Sequence, residues 1–389
     1  MPGLRHAAKK NRLKDQRLLL QTEHGMLAIS RNMGHCWRCG KLFGDLDAIL
    51  GLSNSSHRMT SGFRETLAFV GQASASFNDA REILLKLQGI EISATQIQII
   101  TEEIGAAVFV SDVKEAASIF AAPERHIPCV LDKDKAPDIL YILLDGSAVN
   151  TRVQDEDGST WKEMKLGMVF RSKDVIKRRT QLESCTITNK EYVAYFGEAS
   201  KFKEQLFAAA VRAGYGTVKN VVVIADGAHW IWNICDECFP DATQILDFYH
   251  MAENVHDYAR ALYPNNDIKK TQWAHEVIGD IKAGRFQEAI NNIVNSPINE
   301  DAVKKTVNLH GYLENNKDRV RYDQFDKNGY YIASGMIEGG NKVVIQKRMK
   351  QCGMRWSVNG GQFVAALRAK KQSNRWYIVK RLIYNMKAA

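Results

Sequence analysis

Two stretches of this chain, YILLDGSAVN at 141–150 and VVVIADGAHW at 221–230, share one design. Each is a run of strand-forming aliphatic residues that ends abruptly in Asp-Gly. Aliphatic runs without polar alternation mark strands covered on both faces. A single Asp-Gly after a strand is an ordinary turn. Two of them, each on a strand that belongs in a core, raise the question of a shared site.

The neighbouring segments supply the order. DILYILLDGSAV, TWKEMKLGMVFRS and RTQLESCTIT read as three strands parted by polar turns. EYVAYFGEASKFKEQLFAAAVRAGYG reads as a helix closed by Gly. Strand NVVVIADG, helical HWIWNICDECF and strand TQILDFYH follow, then a strand-poor helical stretch and a helix opening in GMIEGGNKVVIQKRMKQCG. A three-strand meander followed by alternating helix and strand is the order of a ribonuclease-H-like α/β core. A doubly wound nucleotide-binding fold would begin strand–helix–strand, and no glycine-rich phosphate fingerprint follows any strand. The predicted organisation is an N-terminal region (1–57), a helical region (58–125), the first part of the core (136–250), an all-helical insertion (251–333), and a closing helix with a basic C-terminal segment (334–389).

In that order the first and fourth strands are neighbours, so Asp145 and Asp226 converge at one edge. Two carboxylates close together raise each other's pKa unless a cation sits between them. Hard oxygen ligands of this kind suit Mg²⁺ or Mn²⁺. Glu338, near the start of the closing helix, offers a third carboxylate. Such a set holds two divalent cations, which activate a water or 3′-hydroxyl and stabilise the leaving oxygen in phosphodiester cleavage. Read structurally instead, Glu338 is a helix-start carboxylate favoured by the macrodipole.

Charge points the same way. The 389-residue chain carries +9 overall, but Gly339–Ala389 holds twelve Lys or Arg and no Asp or Glu, which leaves the remainder slightly acidic. Such segregation marks a surface for a polyanion, most often nucleic acid. Apolar residues interleave these cations, so a folded helix with a basic face is expected. Lys347, Arg348, Lys350 and Arg355 follow Glu338 and are candidates to neutralise phosphates, with Trp356 available for stacking. Residues 79–104 add a helix, a break at Gly89, a Ser93 cap and a second helix, a helix-turn-helix pattern for double-stranded DNA.

VVVIADGAHWIWNICDECFPDATQILDFYH, together with SGMIEGGNKVVIQKRMKQCGMRWSVNGGQFVAALRAKKQSNRW, resembles the DDE transposases of bacterial insertion sequences. The ISKra type is the best match, with more distant likeness to the ISLre type and to Mutator-like transposases, over about 20–389. The resemblance implies a ribonuclease-H-like core with an all-helical insertion before the last acid, and metal-dependent cleavage and joining of DNA. It also implies a homodimer or larger assembly on DNA. By motif it assigns Asp145, Asp226 and Glu338 as the acidic triad. Asp247 and His250 match the (Cys/Asp)-x-x-His signature of related transposases. The rival readings are a ribonuclease-H-like nuclease without joining activity and a catalytically inactive DNA-binding protein derived from a transposase.

CWRC (Cys36, Cys39) has the spacing of half a zinc site, but the second Cys pair that relatives carry upstream is missing, which leaves a packed thiol pair or a truncated N-terminus as alternatives. CDEC (Cys235, Cys238) falls on the helix after the fourth strand and reads as packing. Seven Cys without a secretory leader predict a reducing compartment, the bacterial cytoplasm, with nucleoid association when DNA is bound. No apolar run is long enough to span a membrane.

Overall fold

A computed structural model of the chain describes residues 11–35, 42–49, 58–122, 138–178, 184–296 and 308–385. It divides into two units, one of Met1–Asp112, Asn150–Thr160 and Val344–Ala389, the other of Val113–Val149 and Trp161–Val343. The first unit opens with an antiparallel hairpin, β1 (Asn11–Thr22) and β2 (Gly25–His35), to which β3 (Leu42–Phe43) adds. Helices α1 (Asp45–Ile49), α2 (Ser61–Ala73), α3 (Phe77–Gln88) and α4 (Ala94–Phe120) follow. The expected break between α3 and α4 is present: Gly89 takes the left-handed C-cap conformation (φ 65°), and Ser93 Oγ accepts the Gln96 N–H at 3.1 Å. Cys36 and Cys39 lie outside the described residues.

The second unit is built on β4 (Ile139–Asn150), β5 (Trp161–Arg171), the ribbon β6 (Val175–Arg178) with β7 (Ser184–Ile187), and β8 (Lys190–Phe196). It continues through α5 (Ala199–Ala213), β9 (Asn220–Ala225), α6 (His229–Cys238) and β10 (Thr243–Leu246). A mixed five-stranded sheet has the order β10-β9-β4-β5-β8. The sheet's third strand in sequence corrects the expected order. Of RTQLESCTIT, the described residues Ser184–Ile187 pair in the separate β6–β7 ribbon. The sheet instead takes Lys190–Phe196, pairing antiparallel with β5 from Phe170↔Lys190 to Met164↔Phe196. This KEYVAYF segment is aromatic and β-branched, as strands are, and the helix it was expected to begin starts only at Ala199.

Residues 139–144 of β4 are all buried, so the central strand is covered on both faces. α5 packs on β5 and β8. From Phe248 to Lys327 the described residues are helical: α7 (Phe248–Leu262), α8 (Asp267–Lys282), α9 (Phe286–Val294), α10 (Leu309–Asn315) and α11 (Tyr322–Lys327). α12 (Gly335–Asn341) then packs on β5. A π-turn, Lys342–Gln346, and a last turn, Lys347–Met349, continue it.

The C-terminal segment returns to the first unit as α13 (Val358–Gln372) and α14 (Trp376–Asn385). Leu367, Val379 and Ile383 share one core with Phe63, Leu67, Leu84, Ile97, Ile100 and Ile104. The basic tail is thus part of the fold that contains α2–α4, and several of its cations are engaged internally. Arg368 donates to the carbonyl of Val344 at 2.6 Å and to that of Gln72, and Lys370 pairs with Asp112 at 2.7 Å.

Gly340 tests how closely α12 is seated. A Cβ there would lie 2.7 Å from Cε1 of buried Tyr192 on β8. Alanine is the better helix former by roughly 1 kcal/mol, but overpacking costs about 1–3 kcal/mol. Gly340→Ala is expected to lower the thermal midpoint, and Tyr192→Leu in the same chain to recover part of the loss. A higher midpoint for the single variant would contradict this packing.

Candidate active site

Strand register positions the site. Leu143 of β4 pairs in parallel with Ile224 of β9, and Leu246 of β10 pairs in parallel with Ala225. Two residues beyond Leu143 comes Asp145, two beyond Ile224 comes Asp226, and directly after Leu246 comes Asp247. Three aspartates therefore stand at one level where the parallel ladder ends, the edge at which open α/β sheets keep their sites. Asp145 does not end its strand as expected: the pairing with β9 stops before it, while β4 runs on to Asn150.

Each aspartate is held differently. Asp226 accepts the Ala228 N–H at 3.0 Å. Gly227, between them, adopts φ 99°, and a Cβ there would lie 2.9 Å from Leu246 Cδ1. Asp247 is fully buried and caps α7, its Oδ1 accepting the His250 N–H at 2.7 Å and lying 3.1 Å from His250 Nδ1. Its Oδ2 accepts the N–H of Ser334, just before α12. The same approach segment is tied down by Phe248 N–H donating to Ile332 O at 2.9 Å and Tyr331 N–H donating to Tyr141 Oη at 3.2 Å. These bonds fix where α12 begins, and α12 brings the Asn341 Nδ2 donor to Asp145 Oδ2.

Asn341 went unremarked in the sequence. It is buried (3% exposed), and its Oδ1 has no hydrogen-bond partner among the described residues. The available signal was its position three residues after Glu338, on the same helical stripe. Glu338 itself lies in the first turn of α12, exposed to solvent. Among the described residues, no group of three or more His, Cys, Asp or Glu side chains is arranged to hold a metal ion. The structure brings Asp145 and Asp226 together at the end of the β4–β9 ladder.

Electrostatics bind the cluster. Burial, and then the nearby negative charge of Asp226, push the Asp145 carboxyl above its ordinary range, against the opposing pull of the Asn341 hydrogen bond and of His250. Burial also disfavours charge on Asp247, but the hydrogen bonds from His250 and Ser334 outweigh it and hold that carboxyl below the usual range. The hydrogen bond from Asp247 lifts His250 to about 9 despite partial burial, with the charges of Asp226 and Asp145 adding to the effect. His250 is thus an imidazolium at neutral pH and supplies the positive charge beside the aspartates. Tyr312, from α10, lies over Gly227, and burial raises its phenol to about 12.

Two residues expected on an open DNA-facing surface are buried instead. Trp356 is 5% exposed, with its indole Nε1 donating to Met349 O at 3.3 Å, so no face is open for base stacking. Arg348 is 1% exposed, its guanidinium 4.5 Å from the Phe77 ring centre and 4.9 Å from that of Trp356. It is no surface cation. Lys347, Lys350 and Arg355 are exposed. Cys235 and Cys238 are buried on α6, and burial pushes the Cys235 thiol up, as befits packing. No helix among the described residues is long and apolar enough to cross a membrane. No protein-family model matches the chain, and no curated protein matches it.

The His250 proton is bound more tightly in the fold than in the free residue, whose pKa is 6.5. Its contribution to stability is therefore complete below 6.5 and is lost as pH rises through about 9. Imidazole resonances followed by NMR should titrate near 9, and in Asp247→Asn should move towards 6.5. Titration near 6.5 in the wild-type chain would refute the His250–Asp247 pair.

Proposed function

We propose that the chain is a DDE-type DNA transposase that binds the ends of its insertion sequence, cleaves them and joins the 3′-hydroxyls to target DNA. The observation that carries the reading is the parallel register that stands Asp145 beside Asp226, with His250 as their cationic neighbour. The sheet order and the helical stretch before α12 suit a ribonuclease-H-like core with an insertion before its last acid. The exposed Lys347, Lys350 and Arg355 suit double-stranded DNA.

A half-buried carboxylate raised by burial and by a second carboxylate is the donor set that a hard divalent cation relieves. Asp145 and Asp226 fit such an ion, and the family resemblance adds Glu338 as a third ligand for a second ion. When bound, Mg²⁺ or Mn²⁺ supplies Lewis-acid activation of a water or 3′-hydroxyl and of the leaving oxygen. The protein's own groups orient and balance charge. Asn341 fixes the rotamer of Asp145, and Asp247 holds the His250 ring by Nδ1. That leaves Nε2–H as a donor to a phosphate oxygen or to the departing oxygen. A transposase acts on two ends, so a dimer or larger assembly on DNA, inside the bacterial cell, belongs to this reading.

One observation favours an alternative, a DNA-binding protein of the same descent without chemistry: Glu338 is exposed, and among the described residues no three ligating side chains are grouped to hold a metal ion. Purified protein incubated with DNA flanking its gene, in Mg²⁺, Mn²⁺ or EDTA, separates the two. The expected result is metal-dependent nicking that leaves new 3′-hydroxyls at the element ends. Asp226→Asn should abolish it, and Asn341→Ala should slow it by roughly 10–100-fold, as loss of a ligand-orienting partner does. Binding of those ends without cutting under any metal would overturn the transposase in favour of the alternative.

A further inference from the structure

Arg348 is the most conspicuous cation in the first unit because it is buried and only partly satisfied. Its Nε donates to Gly71 O at 3.2 Å and its Nη1 to Ala75 O at 3.3 Å, but its Nη2 has no hydrogen-bond partner among the described residues. An unpaired nitrogen on a buried guanidinium is costly. The same residue lines a cavity of about 440 Å³ that opens to solvent beside exposed Arg152 and Arg355.

Two helices begin at this cavity. Phe77 and Asn78 are the first residues of α3, and Ala94 and Thr95 the first of α4, and all four line it. Helix starts present N–H groups and partial positive charge. Among the described residues of the lining the one carboxylate is Glu102, which accepts from Gln98 Nε2 at 2.8 Å. Three arginines and two helix N-termini therefore face two acids, Glu102 in the lining and Asp79 in the first turn of α3, whose charge also reaches Arg348, and the balance stays positive. This is the chemistry of a phosphate site.

We infer that the cavity between the starts of α3 and α4 binds a phosphate group, with Arg348, Arg152 and Arg355 as its cationic partners. The source of that phosphate is the DNA backbone, and this part rests on the DNA-binding reading above. Such binding fixes the helix pair on the duplex without reading sequence.

Two variants test it while leaving buried Arg348 in place. Thr95→Glu puts a carboxylate into the first turn of α4, where it favours the helix and competes with the anion. Arg152→Ala/Arg355→Ala removes the two exposed guanidiniums. Binding of a duplex from the flanking DNA is followed by fluorescence anisotropy across a salt series, and protection by inorganic phosphate by thermal shift. The expected result is roughly tenfold weaker duplex binding for each variant, with the salt slope reduced by about 1 for each phosphate no longer neutralised. Loss of phosphate protection with duplex binding unchanged would keep the anion site and overturn DNA as its source. Unchanged duplex binding, salt slope and phosphate protection in both variants would overturn the site. Metal-dependent cutting is scored separately: a wild-type chain that binds through this cavity but never cuts leaves the phosphate site standing and removes the transposase.

Discussion

Because β9 pairs in parallel with β4 on one side and β10 on the other, three separate stretches of chain end their ladder at a common level. That register, more than any single side chain, makes a site. Side chains in a strand alternate with a period of two, so a slip of one residue would turn the aspartates to the opposite face. Because β4 is apolar on both faces, packing alone does not forbid the slip; the bonds of Asp145 to Asn341 and of Asp247 to Ser334 exist in one register only.

Gathering carboxylates has a cost, and the structure shows how it is offset. Asp247 is stabilised as a charge by two backbone N–H groups and the His250 ring, and in return keeps His250 protonated. The imidazolium then partly balances Asp145 and Asp226. What remains is an Asp145 carboxyl that burial and Asp226 still hold above its ordinary range. Residual strain of this kind is expected where a cation or a proton is to be exchanged. Asn341 and the tie between Ser334 and Asp247 connect that edge to α12, so the helix carrying Glu338 is anchored at both ends beside the strands.

Much of this was legible in the sequence, and the exceptions have physical reasons. The β4, β9 and β10 runs and their Asp-Gly and Asp-Phe exits were visible because uninterrupted aliphatic residues have few other uses. Gly89 and Ser93 marked the α3–α4 break through local chemistry alone. KEYVAYF was absorbed into the helix that follows, since its strand character depends on pairing with β5, which sequence periodicity does not contain. The β1–β2 hairpin was missed because its outward residues are mixed. Arg348 and Trp356 looked like surface groups in a basic tail. Only the long-range packing of that tail on α2–α4 buries them, and only that packing reveals the unsatisfied guanidinium of Arg348.

The central claim is that Asp145 and Asp226 form one cation-binding pair. Calorimetric titration of Mn²⁺ into the wild-type chain, Asp145→Asn and Asp226→Asn tests it without requiring the DNA substrate. Each substitution removes a crowded negative charge from the site, so loss of folding is not the expected consequence. The account predicts binding by the wild type that weakens by at least about tenfold in each variant. Titrations that superimpose for all three chains would contradict it.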